Sequence, residues 1–165
     1  FSPVTEETSE EEFLTVHDAL TAAGFEHYEV SNYALPGFRA RHNASYWHGT
    51  KYLGIGPAAH SFDGEERHWN ASSVEKYIAG APAGKEVLTL RDRFNEYVMT
   101  ALRTVEGIDL EEAAARFGAK RLARMQEEAA PFLRSGTLRI VRGRMALPPE
   151  KFLISDAVIG ALFET

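Results

Sequence analysis

Thr137-Leu138-Arg139-Ile140-Val141-Arg142-Gly143-Arg144-Met145-Ala146-Leu147 decides the reading of the second half of the chain. Two short strand-like runs flank Arg142-Gly143, a hairpin signal. Upstream, Phe94, Tyr97, Val98, Ala101 and Leu102 fall on one face of a helix over residues 90–104. Asp109 with Glu112 caps a shorter helix that stops at Gly118. Leu122, Met125, Ala129, Phe132 and Leu133 mark a third helix ending at Gly136, with Pro131 placed to kink or loosen its last turn. Downstream, Pro148-Pro149 starts a closing helix carrying Phe152, Ile154, Val158, Ile159 and Leu162. Three helices, a two-stranded wing and a closing helix predict a small winged-helix-like domain over 81–165.

The first half reads differently. Residues 1–80 hold 5 Lys/Arg against 12 Asp/Glu, whereas 81–165 hold 13 against 12. All six histidines and both tryptophans lie in the first half, with Tyr28, Tyr33, Tyr46, Tyr52 and Tyr77. Ring nitrogens, amphipathic aromatics and clustered glycines are what ligand sites use. Ser9 with Glu12 predicts a helix start, and Phe13, Val16, Leu20 and Ala23 recur at helical spacing before Gly24. Residues 25–31 read as a strand, 34–37 as a turn and 38–50 as an irregular segment. Residues 52–55, 59–62 and 67–70 read as strands, with Asp63-Gly64 turning between the last two. Ser72 with Glu75 predicts a short helix to Ala79, and Gly80–Gly84 a linker.

Composition excludes several classes. With 44% hydrophobic and 25% charged residues over 165 positions, the chain is an ordinary globular one. It has no cysteine, which excludes disulfides, a cysteine nucleophile and thiolate-held zinc or iron–sulfur centres on its own residues. No apolar run is long enough to span a bilayer, and no signal peptide is visible, so a cytoplasmic location is expected. The chain opens on Phe1, so a fragment of a longer protein is expected. Asn43-Ala44-Ser45 and Asn70-Ala71-Ser72 match glycosylation acceptors, but without a secretory signal neither is expected to be used.

Arg39-Ala40-Arg41-His42-Asn43-Ala44-Ser45-Tyr46-Trp47-His48 is the densest chemical cluster. A flat, largely apolar macrocycle with carboxylate arms and a metal centre would use all of it. An imidazole ligates iron, arginines fork onto propionates, and Tyr46 and Trp47 stack on the ring. The other reading is a surface loop held by its own aromatics. Gly54-Ile55-Gly56-Pro57-Ala58-Ala59-His60-Ser61 nominally fits a dinucleotide loop, but Pro57 lacks the amide hydrogen such a loop needs and no amphipathic helix follows. It reads better as a strand end where glycines admit a ligand or another backbone. There His60 either projects into the opening or is a buried, hydrogen-bonded histidine. Lys120, Arg121, Arg124, Arg139, Arg142 and Arg144 could meet nucleic-acid phosphates in a DNA-binding winged helix. Glu127 and Glu128 follow directly, and the near-neutral half favours a solvated face with no nucleic acid partner.

Three ordered motifs along residues 25–62 carry a family resemblance. Tyr28-Glu29-Val30-Ser31-Asn32-Tyr33-Ala34-Leu35-Pro36-Gly37-Phe38 resembles the YEISNYA-x-PGF stretch of the oxygen-independent coproporphyrinogen III oxidase family. His42-Asn43-Ala44-Ser45-Tyr46-Trp47 resembles its H-N-x-x-Y-W element, in the form carried by the HemW branch of heme-chaperone-like members. Residues 52–61 resemble its glycine-rich strand ending in A-H-S.

That resemblance implies a radical S-adenosylmethionine (SAM) parent with a partial (β/α) barrel and a [4Fe–4S] cluster on a C-x-x-x-C-x-x-C motif. The fold expected is α+β or α/β. Residues 1–80 would be the last helix and extra strands of the barrel, and 81–165 the winged-helix-like C-terminal domain. The resemblance makes His42 the candidate heme-iron ligand, with Asn43, Tyr46 and Trp47 shaping its surroundings, while Arg39 and Arg41 are the candidate propionate partners from the chemistry of the cluster itself. Gly54, Gly56, His60 and Ser61 would lie near cofactor or substrate. Expected cofactors are heme here and SAM with the cluster in the parent. Expected partners are heme or porphyrin, respiratory heme-acceptor proteins, and a second copy through an exposed barrel edge. Alternatives are an oxidase that decarboxylates coproporphyrinogen, with His60 beside the reacting propionate, and a winged-helix module binding protein or DNA.

Overall fold

The computed structural model describes residues 4–47, 49–82 and 84–165. His48 of the aromatic cluster, Ala83 of the expected linker and the opening Phe1–Pro3 lie outside the described residues.

The chain begins with α1 (Glu6–Ala22). Its N-cap is Thr5, whose hydroxyl accepts from Thr8 N at 3.2 Å, with Glu6 and Glu7 in the positive first turn. The expected Ser9–Glu12 start is therefore corrected by one turn. Gly24 (φ +88°) takes the left-handed conformation just past the helix. The expected strand over 25–31 is a hairpin, β1 (Glu26–Glu29) and β2 (Asn32–Ala34), paired antiparallel. The segment expected to be irregular contains α2 (Arg41–Trp47), too short to display a hydrophobic period.

β3 (His60–Phe62), β4 (Glu66–Trp69) and β5 (Gly84–Val87) form an antiparallel sheet in that order. Asp63 makes its first turn, its carboxylate accepting from Glu65 N at 2.9 Å and Glu66 N at 2.7 Å. Of the strand expected over 52–55, only Tyr52 pairs, as a bridge to Phe62. Between β4 and β5 lies α3 (Val74–Ile78), capped by Ser73 rather than Ser72. The stretch expected to be a linker leads straight into β5, so strand pairing continues past residue 80.

The remaining elements follow the helical reading closely. α4 (Leu90–Leu102) starts at a Thr89–Asp92 capping box, α5 (Leu110–Phe117) is capped by Asp109, and α6 (Ala119–Arg134) runs through Pro131. β7 (Arg139–Val141) and β8 (Arg144–Ala146) make the expected hairpin. β6 (Ile108–Asp109) adds a third strand, giving the order β6-β8-β7. Gly107 (φ +65°) makes this possible, because a Cβ there would run into the backbone of Met145 and Ala146. The closing helix is a 3-10 turn (Pro149–Ile154) followed by α7 (Ser155–Leu162). The fold is mixed α/β.

The core belongs to the second half. Phe94, Val98, Leu102, Ile108, Met125 and Phe152 are fully buried, each contributing roughly 1.5–3 kcal/mol of burial. The first half leans on this core through β1. Val30 N donates to Arg103 O at 3.0 Å, and Val105 N to Tyr28 O at 3.1 Å, so β1 is tied to the end of α4. Glu29 between them is only 2% exposed. Its carboxylate accepts from Ser31 N at 3.1 Å and from the Asn32 side-chain amide. Replacing it removes the acceptor of both bonds and empties a buried position. Glu29→Ala is expected to destabilise by about 2–4 kcal/mol, read as a lowered urea midpoint.

His27, 3% exposed, is the other buried polar anchor. Its ring stacks on Tyr33 at 4.0 Å and meets the edge of Phe152 at 5.0 Å. Nε2 donates to Val30 O at 3.4 Å, which leaves Nδ1 to accept from His17 Nδ1–H at 3.0 Å. Burial first, and the neighbouring His17 after it, hold the imidazole below its ordinary 6.5, against a smaller upward pull from Val30 O. The unfolded chain then binds more protons than the folded one as pH falls below 6.5. Stability is full above that value and declines through the window beneath it. Urea midpoints should therefore drop between about pH 7.5 and about pH 5, and the drop should shrink in His27→Asn.

Candidate functional site: a histidine helix over an aromatic, arginine-lined cavity

α2 places His42 and Tyr46 one helical turn apart on the same face. His42 is exposed, and its Nε2 lies 3.1 Å from the Tyr46 hydroxyl. The Tyr46 ring meets Tyr52 edge-on at 5.3 Å, and Tyr52 in turn lies 6.2 Å from Phe62 on β3. A continuous aromatic path thus runs from the imidazole into the body of the protein. Asn43 is exposed beside it, and Ser45 Oγ donates to His42 O at 2.6 Å, which fixes the helix backbone.

Beneath α2 opens a cavity of about 560 Å³, lined by Tyr46, Trp47, Tyr52 and Phe62 on one side and by α4, α5 and the β8 edge on the other. Its far wall holds charges that the sequence did not connect to the site. Arg67 pairs with Glu96 at 2.6 Å, Arg116 with Glu112 at 2.7 Å, and Arg144 with Asp109 at 3.0 Å. Tyr97 donates to Asp109 O and accepts from Asp109 N, both at 3.2 Å. Burial, with Glu112 alongside, pushes its hydroxyl up to about 12, so it stays a neutral donor. These residues carry no motif.

The expected arginines divide. Arg39 is already held by Glu26 at 3.0 Å and Glu106 at 2.5 Å, with its guanidinium 5.3 Å above the Tyr28 ring. That engages the fork a propionate would need. Arg41 is exposed at the first turn of α2. Two of the expected nucleic-acid contacts are also committed internally: Arg121 to Glu164 at 2.6 Å, and Arg144 to Asp109.

The glycine strand lies elsewhere. A Cβ on Gly54 would overlap the His60 backbone, so the close approach there is to another stretch of chain. Gly54 N donates to Ser61 Oγ at 3.0 Å and Gly56 N to the Tyr77 hydroxyl at 3.1 Å. The Asn70 amide donates to Gly54 O at 3.3 Å and Gly56 O at 2.9 Å. His60 is exposed rather than buried, its ring 5.9 Å from Trp69, on an open depression of about 640 Å³ separate from the cavity under α2. Among the described residues no three His, Cys, Asp or Glu side chains converge as a metal site. Gly54→Ala is expected to lower the melting temperature by several degrees through backbone overlap, read by circular dichroism.

Comparison with known proteins finds relatives of this chain. The family model for the HemN C-terminal domain matches residues 88–154. The heme chaperone HemW of Mycobacterium tuberculosis is 38% identical over 149 residues, covering 87% of this chain and 36% of that protein. HemW of Lactococcus lactis is 33% identical over 117 residues, covering 68% of this chain and 31% of that protein. The chain thus spans about a third of these relatives. The solved structure of Escherichia coli coproporphyrinogen III oxidase HemN, described as a radical SAM enzyme, superposes over 97% of this chain and 42% of its own. Its TM-score is 0.72 at 15% identity, which speaks to the fold. With the HemN C-terminal domain model over 88–154 and HemW relatives aligned across most of its length, the chain matches the HemN C-terminal domain and the corresponding third of HemW-type proteins.

Proposed function

We propose that this chain is the part of a heme chaperone that offers His42 to heme iron, within a larger protein that passes the heme on to respiratory acceptor proteins. The observation that carries this is the exposed His42 imidazole on α2, with the exchangeable Tyr46 hydroxyl as the one hydrogen-bond partner of its Nε2 among the described residues. A single neutral imidazole is sufficient for axial ligation. Tyr46 and Trp47 supply aromatic surface beside it. The naming of curated relatives as heme chaperones supports the same reading.

Residues 81–165 are read as a winged-helix-like domain and residues 1–80 as barrel-derived strands and helix, whose unpartnered edge could pair with a second copy. A [4Fe–4S] cluster, implied by the family, does not fit the residues present. The chain holds no cysteine and can supply no thiolate ligand to a cluster. Among the described residues no helix is long and apolar enough to cross a membrane.

The competing reading is a coproporphyrinogen oxidase, with His60 beside the reacting propionate. The likeness to the HemN fold favours it. Against it, the Gly54–Ser61 stretch is accounted for by its own hydrogen bonds.

Hemin titrated into the full-length protein should give a Soret difference spectrum that His42→Ala alters, with affinity falling about tenfold or more. An unchanged spectrum and affinity in His42→Ala would remove His42 from this role. Vinyl-group formation from coproporphyrinogen by the reconstituted protein would favour the oxidase.

A further inference from the structure

We propose that the cavity under α2 receives a carboxylate arm of the tetrapyrrole, held by the indole N–H of Trp47 and the guanidinium of Arg93. This rests on the heme reading and adds a second anchor to it.

Two observations meet at the same cavity. Trp47 Nε1 and Arg93 Nε are both buried and both lack a hydrogen-bond partner, and both residues line the cavity. Buried N–H groups in folded proteins are almost always satisfied, so two orphaned donors on residues that line one cavity point to an acceptor there. The charges point the same way. Arg67, Arg116 and Arg144 each have a carboxylate partner within 3.0 Å. Of the wall's glutamates, Glu96 and Glu112 are taken by Arg67 and Arg116, and Glu106 by Arg39. Arg93 makes no ion pair among the described residues, which leaves one unmatched positive charge on this wall.

The occupant must therefore accept from two N–H groups, carry negative charge, and present a flat apolar body to Tyr46, Tyr52 and Phe62. A water molecule meets the first condition only. A free small anion meets the first two but leaves most of about 560 Å³ unfilled. A propionate of a tetrapyrrole meets all three. Tyr46 touches His42 and also lines the cavity, so it joins the two anchors.

Hemin and hemin dimethyl ester are titrated into the full-length protein and its Trp47→Phe, Arg93→Gln and Arg93→Lys variants. Trp47→Phe keeps the ring and removes the N–H, while Arg93→Lys keeps the charge. Hemin affinity is expected to fall about tenfold in Trp47→Phe and in Arg93→Gln, with Arg93→Lys between. The diester should bind the parent more weakly than hemin and be indifferent to all three changes. Thermal melts report folding, and if Arg93→Gln fails to fold, Trp47→Phe and Arg93→Lys decide the matter. Equal binding of hemin and diester, or hemin affinity unchanged in the folded variants, overturns the carboxylate anchor while leaving His42 ligation intact. Failure of the parent to bind either compound removes the heme reading itself.

Discussion

The edge of β1 is bonded to the end of α4, and the first half of the molecule depends on that join. Fully buried large side chains are concentrated beyond residue 90, whereas the first half contributes little beyond Tyr28, Ala34, His27 and Glu29. Too little apolar surface is enclosed there to hold a hairpin, a two-turn helix and a small sheet unaided. Two main-chain bonds, from Val30 to Arg103 and from Val105 to Tyr28, transmit the order of the helical core to the hairpin. The polar side chains of the motif around Glu29 complete the join. Its residues therefore have a mechanical explanation that needs no contact with any ligand.

What was legible in the sequence follows from how local each signal is. α4, α5, α6 and the β7–β8 hairpin are written in 3.6-residue periods, an Asp cap and an Arg-Gly turn, all within a dozen residues. The third strand β6 was invisible because it is two residues long and exists only through Gly107 packing on Met145. α2 was missed because its seven residues bury none of their side chains completely. The helix starts at Thr5 and Ser73 show a subtler limit. Neighbouring hydroxyls offer equivalent caps, and tertiary placement selects among them.

The candidate site divides the same way. His42, Tyr46 and Trp47 were legible as a cluster, and the fold brings them to one helix, with Tyr46 and Trp47 lining the cavity. The opposing wall was not, because Arg67, Arg93 and Arg116 reach it from elements far along the chain. Arg39 illustrates the difficulty. Beside His42 in sequence it looks free to bind an anion, but Glu106, 67 positions away, already occupies it. Likewise the glycines at 54 and 56 correctly signalled close approach, and only the tertiary structure identifies the approaching group as the His60 backbone.

The carboxamide of Asn70 has a final consequence. Its nitrogen bridges two carbonyls on the adjoining extended segment, at Gly54 and Gly56. A sugar joined to that nitrogen would replace one of its two hydrogens and wedge a bulky ring between segments that touch. The tripeptide Asn70-Ala71-Ser72 is thus closed to glycosyl transfer once the domain has folded, whichever compartment it meets.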